Sequence, residues 1–151
     1  MTSTGHPASA AGNTLLVTFT LHGRSYGVGV EAVQEVLRGQ TRTRIPLAPT
    51  SLAGLINLRG QVLTAVDLRE QLGLPPRPED SPEPMLVVIR VTGEPIALLV
   101  DSIGAVVDVD ADQFETPPDT LTGRARDLIL GAYKLDGELL LALDVAAAVA
   151  A

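Results

Sequence analysis

The chain has 151 residues, of which 46% are hydrophobic and 19% charged, and its formal net charge is −7. With two Tyr, two Phe and no Trp, this acidic composition argues against nucleic-acid binding, which needs a basic surface and stacking aromatic residues. The absence of cysteine excludes disulfides and thiolate metal sites, and no apolar run reaches the roughly 20 residues of a membrane span. We therefore expect a globular protein with no metal, no cofactor and no direct membrane insertion.

The N-terminal part predicts a lead-in followed by a β-hairpin. Residues 1–13 lack the basic start and the apolar core of a secretory signal, which predicts a disordered lead-in and a cytoplasmic location. Residues 15–21 alternate between apolar and polar positions, as a half-buried strand does. A turn at residues 22–25 then leads to a second strand at residues 26–30.

The segment after this hairpin, residues 31–37, predicts a short helix. Val30, Val33 and Leu37 lie on one helical face, and the glutamates and the glutamine lie off that face.

Residues 54–73 predict a second hairpin followed by a capped helix. Two apolar runs flank Arg59 and Gly60, which is the pattern of two antiparallel strands joined by a tight turn in which glycine adopts a positive φ. Asp67 is placed as the N-cap of a short helix over residues 68–72, and a glycine and two prolines follow that helix.

A proline-rich acidic segment at residues 77–84 predicts a linker, because proline fits neither the interior of a helix nor an inner strand. We therefore place a first subdomain at residues 14–76 and a second subdomain at residues 85–151. The second subdomain is expected to end in an Ala-rich helix over residues 145–150. Residues 108–126 are acidic and contain prolines, which predicts a surface loop.

The two halves of the chain repeat one another. The segment that begins at Leu21 matches the segment from Val91 at an offset of 70, and the segment from Gly54 matches the segment from Gly131 at an offset of 77. Two halves of the same plan, each with about five strands and a short helix, predict a mainly β protein of two small β-barrels. Each barrel is too small to be stable alone, so we expect a shared apolar seam.

The repeat also separates the residues that the fold requires from those that one half alone carries. Gly60 and Gly137 occupy the same turn, whereas Arg59 is matched by Asp136 and Glu35 by Ala105. An arginine at a hairpin tip can pair with a carboxylate on a partner surface. From the residues alone, however, a solvated turn residue with no partner is the better interpretation of a single exposed arginine.

Three aspartates that follow apolar runs, Asp67, Asp101 and Asp144, could suggest acid–base catalysis. Two of them, however, occupy N-cap positions and have a backbone-capping role. The sequence contains no nucleophile elbow, phosphate-binding loop or dinucleotide fingerprint, and no histidine is placed to serve as a base. We therefore expect a binding module or scaffold and not an enzyme.

The chain carries the motifs V-Q-E-V at residues 33–36, N-L-R-G at residues 57–60 and V-D-L-R at residues 66–69, in this order. In this combination it resembles the CheW-like coupling proteins of bacterial chemotaxis and the related regulatory domain of the CheA histidine kinase. The resemblance spans about residues 15–149. It implies two SH3-like five-stranded β-barrel subdomains with short helices, no catalytic activity, and an adaptor role in chemotaxis signal transduction.

The resemblance also implies partners. One subdomain face would dock on the regulatory domain of a CheA-type histidine kinase, and an apolar groove between the barrels would receive the cytoplasmic tip of a methyl-accepting chemoreceptor. Two alternatives stay open: the same adaptor role in a pilus-motility or surface-sensing pathway, and a small-ligand-binding β-barrel module. By matching position, the partner-binding residues would be Val33, Glu35, Arg59, Val100 and Ile103.

Overall fold

The computed structural model describes residues 13–38, 42–43, 46–47, 51–121, 123–135 and 137–149. The lead-in predicted for residues 1–13 lies outside these ranges except for its last residue. The strands are, in chain order, β1 (Asn13–Leu21), β2 (Arg24–Gly29), β3 (Val33–Arg38), β4 (Arg42–Thr43), β5 (Leu52–Leu58), β6 (Gln61–Asp67), β7 (Met85–Val91), β8 (Glu94–Val100), β9 (Ser102–Asp110), β10 (Phe114–Glu115), β11 (Ile129–Leu135) and β12 (Glu138–Leu143). The α-helices are α1 (Leu68–Gln71), α2 (Gly123–Leu128) and α3 (Val145–Val149).

The strands form two sheets, which confirms the predicted mainly β class. Sheet A has the strand order β10-β11-β12-β2-β1-β9, and sheet B has the order β3-β7-β8-β6-β5-β4. Neighbouring strands are antiparallel except for one parallel pair in each sheet, β12 with β2 and β6 with β8. Each sheet thus has six strands within the described residues, where the sequence predicted about five.

The chain passes from one sheet to the other at two places. The first crossing lies between Gly29 and Val33, where the chain leaves β2 of sheet A and enters β3 of sheet B. The second crossing lies between Val100 and Ser102, where it returns from β8 to β9. Sheet B is therefore built from one contiguous segment, residues 33–100, and sheet A is assembled from the two ends of the described chain.

The proline-rich linker is not a boundary between the sheets. Residues 77–84 connect α1 to β7, and both flanking strands, β6 and β7, belong to sheet B. The structure thus divides the strands differently from the predicted subdomains 14–76 and 85–151. The reason is that the first hairpin of each half pairs through its second strand with the last hairpin of the other half.

The internal repeat is preserved in the pairing of the strands. Exchanging the two halves converts the strand order of sheet A into that of sheet B. The registers agree as well, because the parallel pair Leu141–Tyr26 in sheet A corresponds to Thr64–Ile96 in sheet B. The protein is therefore pseudo-symmetric, with sheets related by the repeat that the sequence contains.

The central core lies between the two sheets. Phe19 and Tyr26 of sheet A stack with their ring centroids 6.0 Å apart, and the same buried cluster contains Val87, Ile89 and Leu98 of sheet B. A core that both sheets share agrees with the expectation that neither half is large enough to be stable alone.

Residues 31–37 do not form the predicted helix. Val30–Ala32 forms one turn of 3-10 helix, and β3 begins at Val33 and pairs with β7. A helix of seven residues gains little from its own hydrogen bonds. As a strand, the segment finds backbone partners on β7, and alternate residues from Val33 onward are less exposed than their neighbours.

The capped helices are confirmed. The Asp67 carboxylate accepts a hydrogen bond from the N–H of Arg69 at 3.0 Å and opens α1. The Asp144 carboxylate accepts a hydrogen bond from the N–H of Ala147 at 3.2 Å at the start of α3.

The prediction of a surface loop over residues 108–126 is wrong for most of that range. Strand β9 continues to Asp110, a 3-10 helix follows at Ala111–Gln113, and β10 and the first part of α2 lie within the same segment. Asp110 and Gln113 form a capping box on the 3-10 helix, a local signal that composition alone did not reveal.

Candidate partner-binding surface

Val33 and Ile103 lie at equivalent positions just after the two crossings. Val33 begins β3 and pairs with Ile89, whereas Ile103 lies on β9 and pairs with Phe19. Both side chains are partly buried and pack against the central core. Because β3 and β9 are the terminal strands of sheets B and A, these two predicted residues lie at corresponding sheet edges.

Val100 does not lie at the surface. It is 1% exposed and belongs to the central core. Its place in the same motif as Ile103 suggested a partner contact, but the last four residues of β8 are all buried. The prediction for Val100 is therefore wrong: its side chain packs in the core beside the second crossing and is not accessible to a partner.

Glu35 and Arg59 are brought together by the fold. Arg59 Nη2 donates to Glu35 Oε2 in an ion pair, and the Arg59 side chain is 67% exposed. Three strands separate β3 from β5 in sheet B, yet Leu37 of β3 also packs against the cluster that contains Ile56 of β5. Sheet B therefore curves, and Arg59 engages a carboxylate of its own chain while most of its side chain faces solvent.

The turn that carries Arg59 is tight and well defined. Arg59 has a φ of 51° and Gly60 a φ of 85°, and positive φ at both central residues identifies a type I′ turn. The Asn57 side chain accepts a hydrogen bond from the N–H of Gly60 at 3.1 Å. The predicted positive φ of Gly60 is confirmed. Arg59 is the first of the two central residues of this turn, which places its side chain at the tip of the hairpin.

A β-bulge adds a polar group beside this pair. Gln34 is the extra residue in β3, because Val33 and Glu35 pair with the consecutive residues Ile89 and Val88. Gln34 Oε1 accepts a hydrogen bond from Arg90 Nη2 at 2.7 Å. Bulges redirect side chains at sheet edges, and this one places a polar contact between β3 and β7 next to Glu35.

Four exposed apolar side chains form two equivalent pairs that sequence reasoning missed. Val36 on β3 is 38% exposed and its counterpart Val106 on β9 is 55% exposed; Val62 on β6 is 60% exposed and its counterpart Leu139 on β12 is 42% exposed. Their exposure at matching positions of both halves makes these side chains candidates for partner contact. The signal was available, since the pairs fall at offsets of 70 and 77.

Two grooves follow the parallel strand pairs. The groove beside β6 and β8 has a volume of about 650 Å³, and its lining includes Val62 and Ile96. The groove beside β12 and β2 has a volume of about 370 Å³, and its lining includes Leu139 and Leu141. None of the five residues predicted to bind partners lines either groove, so the protein offers separate candidate surfaces.

Asp101 at the second crossing is the centre of a charged network. Arg69 Nε and Nη2 donate to its two oxygens at 3.0 and 2.6 Å, Arg77 Nη2 donates at 2.8 Å, and the N–H of His22 donates at 2.8 Å. Partial burial by itself raises the pKa of Asp101, but these hydrogen bonds and the two positive charges outweigh it and hold the pKa below its ordinary value. We call Asp101, Arg69 and Arg77 the Asp101 clamp.

Sequence reasoning missed the clamp because its members are distant in the chain. Arg69 and Asp101 are 32 positions apart, and they come together only through the pairing of β6 with β8. The repeat carried a partial signal, since Arg69 is matched by Ala146 and is therefore not required by the shared fold.

The described part of the chain contains no group of three or more His, Asp or Glu residues placed to hold a metal ion. Among the helices of those same residues, none is long and apolar enough to cross a membrane.

Comparison with known proteins identifies the family. The model of the CheW-like domain matches residues 15–151. The chain is 28% identical over 133 residues to the chemotaxis protein CheW of Treponema pallidum, covering 86% of this chain and 78% of that protein. It is 27% identical over 134 residues to the chemotaxis protein CheW of Rhizobium meliloti, covering 89% and 86%.

A solved structure is similar in fold as well as in sequence. The crystal structure of the scaffolding protein TtCheW from Thermoanaerobacter tengcongensis superposes with a TM-score of 0.78 at 27% sequence identity, over 87% of this chain and 88% of that one. Family model, relatives and fold agree over nearly the whole described chain, and the chain belongs to the CheW-like domain family.

Proposed function

We propose that this protein is a non-enzymatic cytoplasmic scaffold that couples methyl-accepting chemoreceptors to a CheA-type histidine kinase in chemotaxis. The main support for this proposal is the family match over residues 15–151. The similar proteins are named as chemotaxis or scaffolding proteins. The aspartates that could suggest catalysis have structural roles instead: Asp67 and Asp144 cap helices, and Asp101 is held in the clamp.

A scaffold needs separate surfaces for separate partners, and the distribution of exposed groups supports this requirement. Val33, Ile103 and the Glu35–Arg59 pair lie near the edges of the two sheets, whereas Val62 lies in the groove beside β6 and β8. We assign the helical tip of the receptor to the sheet edges, where the expected contact residues Val33 and Ile103 lie, and the kinase regulatory domain to the two grooves beside the parallel strand pairs. In both cases the apolar area supplies affinity, and charges such as Arg59 fix the register.

The test is a titration of the purified protein against two partners from the same organism, the regulatory domain of a CheA-type kinase and a cytoplasmic tip fragment of a chemoreceptor. Three variants separate the surfaces. Arg59→Asn removes the charge but suits the turn, because Asn-Gly is a preferred type I′ pair. Val33→Glu alters the sheet edge, and Val62→Glu alters the groove.

We expect Arg59→Asn and Val33→Glu to weaken receptor binding at least about tenfold, a loss of about 1.4 kcal/mol, and Val62→Glu to weaken kinase binding by a similar factor. Circular dichroism and thermal unfolding serve as the check that each variant is folded. A folded wild-type protein that binds neither partner would contradict the proposal. Binding only to the receptor and kinase of a pilus-motility or surface-sensing pathway would keep the scaffold role and change the pathway.

A further inference from the structure

The two crossings between the sheets are equivalent in the repeat but are held in different ways. Glu31 at the first crossing is matched by Asp101 at the second. Glu31 is exposed, and within the residues that the structure describes its side chain makes no hydrogen bond or ion pair. Asp101 receives the two arginines of the clamp. Because Ala146 stands where the repeat would place a second Arg69, the first crossing has no clamp arginine from α3.

The clamp joins groups from both sheets at one point. On the side of sheet A, the N–H of His22 donates to the Asp101 carboxylate, and the N–H of Asp101 donates to the carbonyl of Thr20 at 3.0 Å. The hydroxyls of Thr20 and Ser102 form a further hydrogen bond at 2.5 Å. Every one of these contacts lies where the chain leaves sheet B and starts β9.

On the side of sheet B, the clamp reaches α1 and the linker. Arg69 comes from α1 and also donates from Nη1 to the carbonyl of Pro75 at 2.7 Å. Arg77 comes from the linker and also donates to the carbonyls of Val100 and Pro82, each at 3.3 Å. The Arg69 side chain is 11% exposed and that of Asp101 is 19% exposed, so solvent screens this ion pair only weakly. The clamp is therefore a partly buried, bidentate connection and not a loose surface pair.

The geometry of the sheet edges depends on these crossings. Val33 follows Glu31 by two positions, and Ile103 follows Asp101 by two positions. Because Val33 lies on β3 of sheet B and Ile103 on β9 of sheet A, their relative placement depends on the angle between the sheets. A flexible second crossing would change that angle without altering any residue of the surface itself.

We infer that the Asp101 clamp is a positioning device that fixes the direction in which β9 leaves sheet B, and so sets the orientation of sheet A relative to sheet B. Among the residues that the structure describes, no such device holds the first crossing, and its geometry would follow the packing of the central core. Arg69, Arg77 and Asp101 are thus positioning residues for the partner-binding surface. The inference rests on the proposed function only where it concerns partner affinity.

The orientation of the sheets can be measured directly in the free protein. The chain has no cysteine, so Val36→Cys and Val106→Cys, at exposed equivalent sites on β3 and β9, would carry spin labels at these two positions only. Double electron–electron resonance then gives the distribution of distances between the sheets. The clamp variant is Asp101→Asn, and the matched control is Glu31→Gln at the other crossing.

We expect Asp101→Asn to broaden or shift the distance distribution and Glu31→Gln to leave it unchanged. Arg77→Gln, which leaves the Arg69 pair in place, should give a smaller change, and it replaces Asp101→Asn if that variant fails to fold. A folded Asp101→Asn or Arg77→Gln protein with the wild-type distribution would overturn the inference. An equal change in Glu31→Gln would overturn it as well, because the effect would then not belong to the clamp.

The consequence for binding is tested with the unlabelled variants and the receptor tip fragment. We expect Asp101→Asn to lower the affinity about five-fold or more, whereas Glu31→Gln should bind as the wild type does. If the wild type binds and Asp101→Asn binds equally well, the clamp does not position the partner surface. If the wild type does not bind, the proposed receptor contact is wrong, and the distance measurement alone decides whether the clamp sets the sheet angle.

Discussion

Asp101 links the charge state of one residue to the stability of the whole protein. Its pKa is lowered in the folded state, because hydrogen bonds from Arg69 and His22 and the charge of Arg77 outweigh the effect of partial burial. A carboxylate with a depressed pKa contributes stability that is present above the unfolded pKa of about 3.9 and is lost as the pH falls through the folded pKa. We expect Asp101→Asn to lower the free energy of unfolding by about 1 to 3 kcal/mol at pH 7. The difference from wild type should hold down to about pH 5 and shrink below about pH 4.

Urea unfolding of wild type and Asp101→Asn between pH 7 and pH 3 measures this difference. Asp119→Asn is the control, since Asp119 is exposed and has no ion pair within the described residues. We expect Asp119→Asn to follow the wild-type curve at every pH. A difference between wild type and Asp101→Asn that does not change with pH would mean that the Asp101 charge adds nothing to stability.

The sequence allowed some site residues to be predicted and not others. Arg59 and Glu35 stood out because the repeat does not match them, but their ion pair depends on the curvature of sheet B, which no local pattern encodes. Val100 was wrongly predicted to contact a partner, because the sequence pattern of an apolar residue at the end of a strand is the same whether its side chain faces the core or a partner. Arg69 was hidden because its partner Asp101 is remote in sequence.

The β5–β6 hairpin depends on the backbone conformation of Gly60. Gly60 has a φ of 85°, and a Cβ there would meet no atom within 4 Å. The cost of Gly60→Ala is therefore only the backbone cost of placing a non-glycine residue at positive φ, about 1 kcal/mol. Urea unfolding should show this loss, and Gln61→Ala, at the exposed residue that begins β6, should change stability by less than about 0.5 kcal/mol. Equal losses in both variants would contradict the type I′ turn.

Elements were predictable from the sequence where the signal was local, and were missed where a distant partner decided the outcome. The turn at Gly60 and the caps Asp67 and Asp144 depend on neighbours within a few residues, and all three are confirmed. Strand β3 has a helical spacing of apolar residues in sequence, yet it is a strand because β7, about 50 residues later, supplies its hydrogen-bond partners. Tertiary pairing overrides local preference in such short segments.

The repeat predicted two similar halves but not the way in which the two halves combine. Sequence similarity between the halves is the same whether each half forms its own sheet or exchanges its first hairpin with the other. The structure shows the exchange, with β1 and β2 in sheet A and β7 and β8 in sheet B. The linker was wrongly taken as a boundary between subdomains, because proline content marks a break in regular structure and does not show which sheet each flanking strand joins.

The exchange predicts how the protein responds to a cut in the linker. Glu79 and Asp80 are exposed in a turn, so a site for a specific protease can be inserted between them. The first piece would contain β1 to β6 and the second β7 to β12, and each piece would hold strands of both sheets. We expect the cut protein to elute at its native size in size-exclusion chromatography, because four strand pairs and the shared core still hold the two pieces together: β3–β7, β6–β8, β1–β9 and β12–β2.

The two pieces of the cut protein should separate only in denaturant, and each piece alone should lack the circular dichroism of folded sheet. Two folded monomers that separate without denaturant would contradict the strand exchange, because only sheets confined to one half each could survive on their own.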